Sequence, residues 1–274
     1  MFAPASYNAA LFMMLVTMIC WGSWANMQKA TTGWRFELFY WDYAIGVLGF
    51  SILAGLTLGS FGSSGQAFFP DLFHAELHRV LDALMSGIIF NVANILLVAA
   101  IAIAGLAVAF PIGIGIALLT GTILSWVVTP VGNLALLIPG VLLVLFAILL
   151  DAAAYRKQQA GQVRDIRRGV AVSVAAGILM GVFYPLLALA MEEPGGLYPY
   201  AAFFCFSLGL FACTIPVNLF FMQRPITGDP PVPFSAYLEG STTFHAAGII
   251  GGIIWALGTL FNLLAVPDDP VVLR

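Results

Sequence analysis

ALMSGIIFNVANILLVAAIAIAGLAVAFPIGIGIALLTGTILSWVVTPVGNLALLIPGVLLVLFAILL, residues 83–150, is 68 consecutive residues without one Asp, Glu, Lys or Arg. A helix needs about 20 apolar residues to cross the hydrocarbon core of a bilayer, so this run holds three crossings. Further charge-free stretches cover Met1–Gln28, Tyr43–Pro70, Gly169–Met191, Pro194–Gln223 and Gly240–Pro267. The whole chain of 274 residues is 61% hydrophobic and 8% charged, where soluble domains carry about a quarter charged residues. That composition excludes an ordinary water-soluble domain. Its ten Lys and Arg cannot build a phosphate-tracking surface, which excludes nucleic acid as a partner. A transmembrane β-barrel would show segments of about ten residues alternating apolar and polar, and nothing here alternates. The sequence therefore predicts an all-α, polytopic membrane helix bundle with the lipid bilayer as its surroundings, because helices satisfy their own backbone hydrogen bonds in hydrocarbon.

Gly, Pro and charge divide the apolar stretches into eight expected spans at about residues 8–28, 37–60, 80–104, 107–128, 132–153, 168–191, 198–222 and 243–265. The third and fourth pivot at Ala104-Gly105-Leu106 and the fourth and fifth turn at Thr129-Pro130. The longest polar connections are Phe61–His78 and Arg224–Thr243. Alternate loops place Lys29, Arg35, Arg156, Lys157, Arg164, Arg167, Arg168 and Arg224 on one side, against Arg79 and Arg274 on the other. The positive-inside rule then puts loop 155–168 in the cytoplasm and the N-terminus outside, in a multi-pass protein of the cell membrane.

Gly87-Ile88-Ile89-Phe90 overlays Gly252-Ile253-Ile254-Trp255, and Gly22 with Trp24 overlays Gly181 with Phe183. The period is five helices, an odd number, so the second copy enters the membrane in the opposite sense, the logic of inverted-repeat carriers. The expected division is residues 1–157 as a first five-helix half and 166–274 as a second half with three helices, giving about eight of an expected ten spans. On that reading the chain stops two helices short.

No phosphate-cradling Gly-rich loop, nucleophile elbow or His-Glu-x-x-His pair occurs, so no enzyme activity, cofactor or metal is expected. Cys20, Cys205 and Cys213 lie inside apolar stretches, which argues against a disulfide framework. The densest polar and aromatic constellation runs from Cys20 to Lys29 and from Trp34 to Tyr43, with five aromatic residues among positions 36–43. It contains Trp24, Asn26, Glu37 and Asp42. For Glu37 and Asp42 two roles stand open: a structural ion pair with Lys29 or Arg35, or a proton-coupling site created by partial burial. Deeper in the bilayer the polar groups are amides and hydroxyls, among them Asn91, Asn94, Tyr184 and Asn262. Asn91 and Asn94, three apart, share a helix face, and an amide offers donors and an acceptor to a neutral planar solute. Trp24 and Trp255 could supply flat walls. Interhelical hydrogen bonding is the competing role for each amide.

Cys20–Gln28 followed by Trp34–Tyr43, with Gly55-Leu56-Thr57-Leu58-Gly59-Ser60 closing the second span, resembles the opening of the ureide permease family of the drug/metabolite transporter superfamily. The resemblance continues through residues 91–102, Ala109–Gly115 and Ile254–Asn262. It implies ten helices in two inverted halves, both termini outside, and proton-coupled uptake of neutral ureides or nucleobases such as allantoin, xanthine or uracil. The substrate-binding residues it leaves to be tested are Trp24, Asn26, Asn91, Asn94, Tyr184, Trp255 and Asn262, with Glu37 and Asp42 for the proton. Loop 155–168 is short and lacks the nucleotide-like motif of some plant members. On this resemblance the chain is either a gene fragment or one whose two absent helices come from a second polypeptide or a homo-oligomer. Two other readings stay open: a sugar or drug carrier of the same superfamily, and a truncated, non-transporting membrane partner or regulator.

Overall fold

The structure is a computed structural model that describes residues 1–128, 133–158 and 165–265. Its elements are α1 (Tyr7–Ser23), α2 (Ala25–Ala30), α3 (Phe36–Leu56), α4 (Phe68–His74), α5 (Leu77–Ala104), α6 (Leu106–Val128), α7 (Leu134–Gln158), α8 (Ile166–Ala190), α9 (Pro199–Gln223), α10 (Ser235–Leu238) and α11 (Thr242–Ala265). No strand occurs among the described residues. Seven helices, counting α1 with α2 as one, are long and apolar enough to cross a membrane, and α7 adds a shorter apolar stretch, Leu134–Leu150. Every one of the eight expected spans is helical, and the chain is a polytopic helix bundle. The Thr129-Pro130 turn, residues 159–164 of the expected cytoplasmic loop and Arg274 lie outside the described residues.

Local chemistry sets the helix ends. The Ser6 hydroxyl accepts from the Ala9 amide and starts α1, and the Asp165 carboxylate accepts from the Arg168 amide and starts α8, each satisfying a donor the helix leaves open. Gly105 ends α5 at φ 84°, a conformation that glycine adopts without a Cβ clash, so α6 can start at the next residue. The two long polar connections each fold a short helix, α4 and α10.

α5 packs on α8 and α9, α3 on α9 and α11, α1 on α11, and α6 on α8, while α7 touches α6 and leaves Leu136, Leu143 and Leu149 exposed. Phe12, Met18 and Ile19 of α1 are likewise exposed. In oil such faces carry no penalty, so what joins the helices is close van der Waals approach through small residues. Two seams achieve it with the same device. A Cβ on Gly252 of α11 would fall on the Tyr43 carbonyl of α3, and one on Gly46 would fall on the Ile249 carbonyl. On the other pair, a Cβ on Gly87 of α5 would meet the Phe206 carbonyl of α9, and one on Gly209 the Leu84 carbonyl. In each seam the second glycine lies three residues past the first carbonyl, and the second carbonyl three residues before the first glycine.

Gly87→Ala and Gly252→Ala each force backbone apart. Overpacking of this kind costs about 1–3 kcal/mol, which outweighs the ~1 kcal/mol that alanine gains in helix propensity. Denaturant titration in detergent micelles should show both variants destabilised. Gly49→Ala, where the added Cβ meets nothing within 4 Å, should be neutral or stabilising.

Candidate functional site: a central aromatic cavity and a buried carboxylate cluster

A cavity of about 500 Å³ opens between α1, α5, α6, α8 and α11. Trp21, Trp24, Phe90, Asn94, Tyr184 and Trp255 line it, with Thr122, Ser125 and Trp126 on the α6 side. Its floor is a cluster of rings: Phe90 and Trp255 lie 4.4 Å apart by centroid, Trp24 and Tyr43 5.0 Å, and Phe90 and Phe183 5.0 Å. Tyr43 reaches Trp255 at 6.4 Å, and Phe206 reaches Phe90 at 5.4 Å and Phe183 at 5.9 Å. Trp24, Tyr43 and Trp255 thus form one group and Phe183, Phe206 and Phe90 another, meeting where Trp255 contacts Phe90 and stacks on Phe206 at 5.9 Å. Offset and tilted rings at these separations attract each other beyond simple burial.

Four of the seven expected solute-binding residues reach this wall: Trp24, Asn94, Tyr184 and Trp255. Three sit elsewhere. Asn26 is exposed on α2. Asn91 is fully buried, its Oδ1 accepting from Tyr40 at 3.1 Å and Thr214 at 2.8 Å. Asn262 packs towards α1, with Nδ2 3.5 Å from the Met14 sulfur. The Asn94 amide donates to the Tyr40 hydroxyl at 3.3 Å, so one chain of hydrogen bonds runs from the cavity wall through Tyr40 and Asn91 to α9. Asn218 of α9 adds a tie to α3, donating to the Glu37 carbonyl at 2.7 Å.

Glu37 and Asp42 are both buried on α3, yet their partners differ. The Arg35 guanidinium holds Glu37 through two bonds, Nη2 to Oε1 at 2.5 Å and Nε to Oε2 at 3.2 Å, and its other nitrogen donates to the Pro230 carbonyl. Such forked, charge-assisted pairs are strong. Asp42 instead accepts from the Tyr237 hydroxyl at 2.7 Å and faces His245 Nδ1 at 2.8 Å. Trp34 lies over them, stacked on Tyr237 and Phe244 and edge-on to His245. Neither Tyr237 nor His245 is expected here from sequence, because 195 and 203 residues separate them from Asp42 and no local pattern links them. Next to this cluster, sharing Trp34 with it, a second hollow lined by Gln28, Lys29, Thr31, Arg35, Glu37 and Asp229 forms a polar vestibule. No group of three or more His, Cys, Asp or Glu that could hold a metal occurs among the described residues.

The family model described as ureide permease matches residues 39–168 and 161–266. The chain belongs to the ureide permease family. Ureide permease 1 of Arabidopsis thaliana is 24% identical to it, over 87% of this chain and 77% of that protein. Ureide permease 3 of the same plant is 25% identical over 87% and 79%. Probable ureide permease A3 of Vigna unguiculata is 33% identical over a shorter segment, 32% of this chain and 23% of that protein. No solved structure matches the chain. In this permease-family bundle the cavity and the Asp42 cluster are built by helices that lie within the matched segments, apart from α1 and α2.

At the far end, on α4, sits a third buried carboxylate. Asp71 Oδ2 accepts from the Tyr198 amide at the start of α9 at 2.9 Å. Burial pushes its carboxyl up to about 7, against the opposing pull of that hydrogen bond and with the help of nearby Glu193. Because the folded protein holds the proton more tightly than the unfolded chain, this stabilisation is complete below about pH 4 and is lost as pH rises through about 7, with a slope of at most about 1.4 kcal/mol per pH unit. Melting temperatures of purified protein between these limits should fall with pH. Asp71→Asn should flatten the profile, and an unchanged slope in that variant would show that another group is responsible.

Proposed function

We propose that this chain is a secondary carrier that takes up a small neutral solute, a ureide or nucleobase such as allantoin, uracil or xanthine, together with protons. The central cavity carries the reading. It is of the size and largely apolar character of small-molecule sites, its walls are flat rings, and its polar groups are one amide and a few hydroxyls, with no charged side chain among the lining residues. A flat, uncharged ring bearing N–H and C=O groups stacks between such walls and exchanges hydrogen bonds with Asn94, Tyr184, Thr122 and Ser125. A sugar site calls for a denser set of amides and carboxylates. Trp24, Asn94, Tyr184 and Trp255 are the residues assigned to the solute, and Asn26, Asn91 and Asn262 are assigned to the surrounding scaffold.

Alternating access in this reading comes from two inverted halves, residues 1–157 and 166–274. The glycine seams support it: α11 sits on α3 as α5 sits on α9, and the seam glycines Gly87 and Gly252 are the pair that the sequence overlay matches. α1 sits on α11 as α8 sits on α5. The correspondence gives α1 a face for a further apolar helix where α8 carries α6, and Gly22 there has nothing within 4 Å. The excess of Lys and Arg beside α2, α3 and α9 supports a cytoplasmic placement for that end and an outside N-terminus. For the proton, Glu37 is committed to Arg35, which leaves Asp42 as the carboxylate at which coupling is sought.

Uptake of radiolabelled allantoin, uracil and glucose into proteoliposomes tests the reading. Allantoin or uracil should enter and glucose should not. Trp255→Ala and Asn94→Leu should each weaken apparent affinity by about tenfold, the effect of losing roughly 1.4 kcal/mol of stacking or hydrogen bonding. Glucose uptake would favour a sugar carrier, and no uptake of any of the three would favour a non-transporting partner.

A further inference from the structure

Among the described residues, Asp42 is the buried acid held by two side chains from the last third of the chain. Tyr237 reaches it from α10 and His245 from the first turn of α11. The two helices approach closely at this point, since a Cβ on Gly248 of α11 would fall on the Asp42 side chain. The surrounding elements present the following groups. On α3 itself Glu37 is bound by Arg35; α9 presents Leu219 and Met222 on the Trp41 side; Lys29 of α2 lines the vestibule with Arg35 and Glu37. Asp42's ion-pair partner is His245, whose ring lies edge-on to Trp34, itself stacked on Phe244.

Charge counting gives this cluster a function. A carboxylate facing a neutral imidazole leaves one negative charge in a medium of low dielectric, a costly state. One added proton converts it to a neutral carboxylate–imidazolium pair that keeps both hydrogen bonds. Imidazole is the side chain that ordinarily changes charge near neutral pH, and ionisable groups buried in membrane bundles mark proton pathways.

We propose that Asp42, His245 and Tyr237 form the proton-binding site of the carrier, and that the bound proton clamps the α10–α11 corner onto α3. The transport consequence rests on the carrier reading above, whereas proton binding rests on the cluster alone. Nδ1–H of His245 donates to Asp42 Oδ2 throughout. The proton arrives at and leaves from Nε2, which lies beside Gly240 on a side chain that is 25% exposed, exchanging with water at the end of the bundle, and no other bond forms or breaks. Loss of the proton weakens the pull between His245 and Asp42 and frees the start of α11. Trp255 lies ten residues along the same helix, about 15 Å away, with Gly248 and Gly252 between them packed on α3. Movement at the clamp therefore reaches the cavity wall. Tyr237 is the positioning residue that fixes the second carboxylate oxygen.

Three measurements test it. Proton uptake by detergent-purified protein after a jump from pH 8 to pH 5, followed with an indicator dye, should fall by ~1 proton in His245→Gln; equal uptake in that variant overturns the proposal. Hydrogen exchange of the unmodified protein, corrected for intrinsic rates, should show protection of residues 234–246 falling as pH rises through this range. Protection that is flat with pH overturns the clamp even if every variant misfolds. In proteoliposomes, an imposed inward proton gradient should accelerate radiolabelled uracil entry by the wild type, and the ratio of entry with and without the gradient should drop to about 1 in Asp42→Asn and His245→Gln. A ratio that persists in both variants overturns coupling at this site. Absence of uracil and allantoin entry in the wild type speaks against the carrier reading, while the first two measurements still decide proton binding.

Discussion

Lipid chains are as apolar as leucine, so burying leucine between helices gains little in a bilayer, and the bundle is held by how closely its backbones approach. The four seam glycines meet this constraint, each lying where a Cβ would strike a carbonyl of the facing helix. They also set the rings that pack behind the cavity. Tyr43, whose carbonyl receives Gly252, also turns its ring to Trp24 and Trp255. Phe206, whose carbonyl receives Gly87, turns its ring to Phe90 and Phe183. The residues that join the helices thus pack directly behind the rings that line the cavity, Trp24, Trp255, Phe90 and Phe183.

Polar groups obey the complementary rule. In a medium that offers no water, each buried carboxyl needs a partner, and Glu37, Asp42 and Asp71 find theirs in different ways. Glu37 has a guanidinium two residues earlier, a pairing that survives any movement of α3 against its neighbours. Asp42 and Asp71 depend on groups from distant parts of the chain, His245 and Tyr237 for one and the Tyr198 amide for the other. Their satisfaction holds only while the helices keep their present arrangement. Buried acids of the second kind report on conformation, and a proton can stand in for the missing partner when the arrangement changes.

The spans are legible in the sequence because a charge-free run of about 20 residues or more matches the thickness of the hydrocarbon layer and outruns the apolar stripe of a helix that keeps one face in water. Their details are less so. The first span carries a turn at Trp24 that divides α1 from α2, and α3 ends at Leu56 rather than 60 because the chain from Gly55 to Ser60 curls back, with the Gly59 amide on the Ala54 carbonyl. At the site, Trp24, Asn94 and Trp255 are readable as aromatic and amide residues deep in apolar runs. Asn91 is expected beside Asn94, but three residues turn a helix through about 300°. That rotation suffices to point Asn91 at Tyr40 and Thr214 while Asn94 edges onto the cavity. His245 and Tyr237 carry no such signal. Their meeting with Asp42 is a product of tertiary packing across chain separations of 203 and 195 residues, which periodicity does not encode.

The two long polar connections sharpen this picture of paired ends. The one after α3 folds into α4, which brings Asp71 to the start of α9 and Phe68 against Gly55 and Phe204. The one after α9 folds into α10, which brings Tyr237 to the first third of α3 and Phe234 against Trp41. Each connection follows one of the helices α3 and α9 and attaches to the other through polar and ring contacts, the second adding the bond from Arg35 at the start of α3 to the Pro230 carbonyl. A straight loop would leave both helix starts open to water. The folded loops close them with contacts between a few side chains, while the glycine seams between the helices are backbone against backbone and continuous. The ends of the bundle are therefore joined by fewer backbone contacts than its middle, the condition that the proposed carrier reading requires of a cavity that opens to each side in turn.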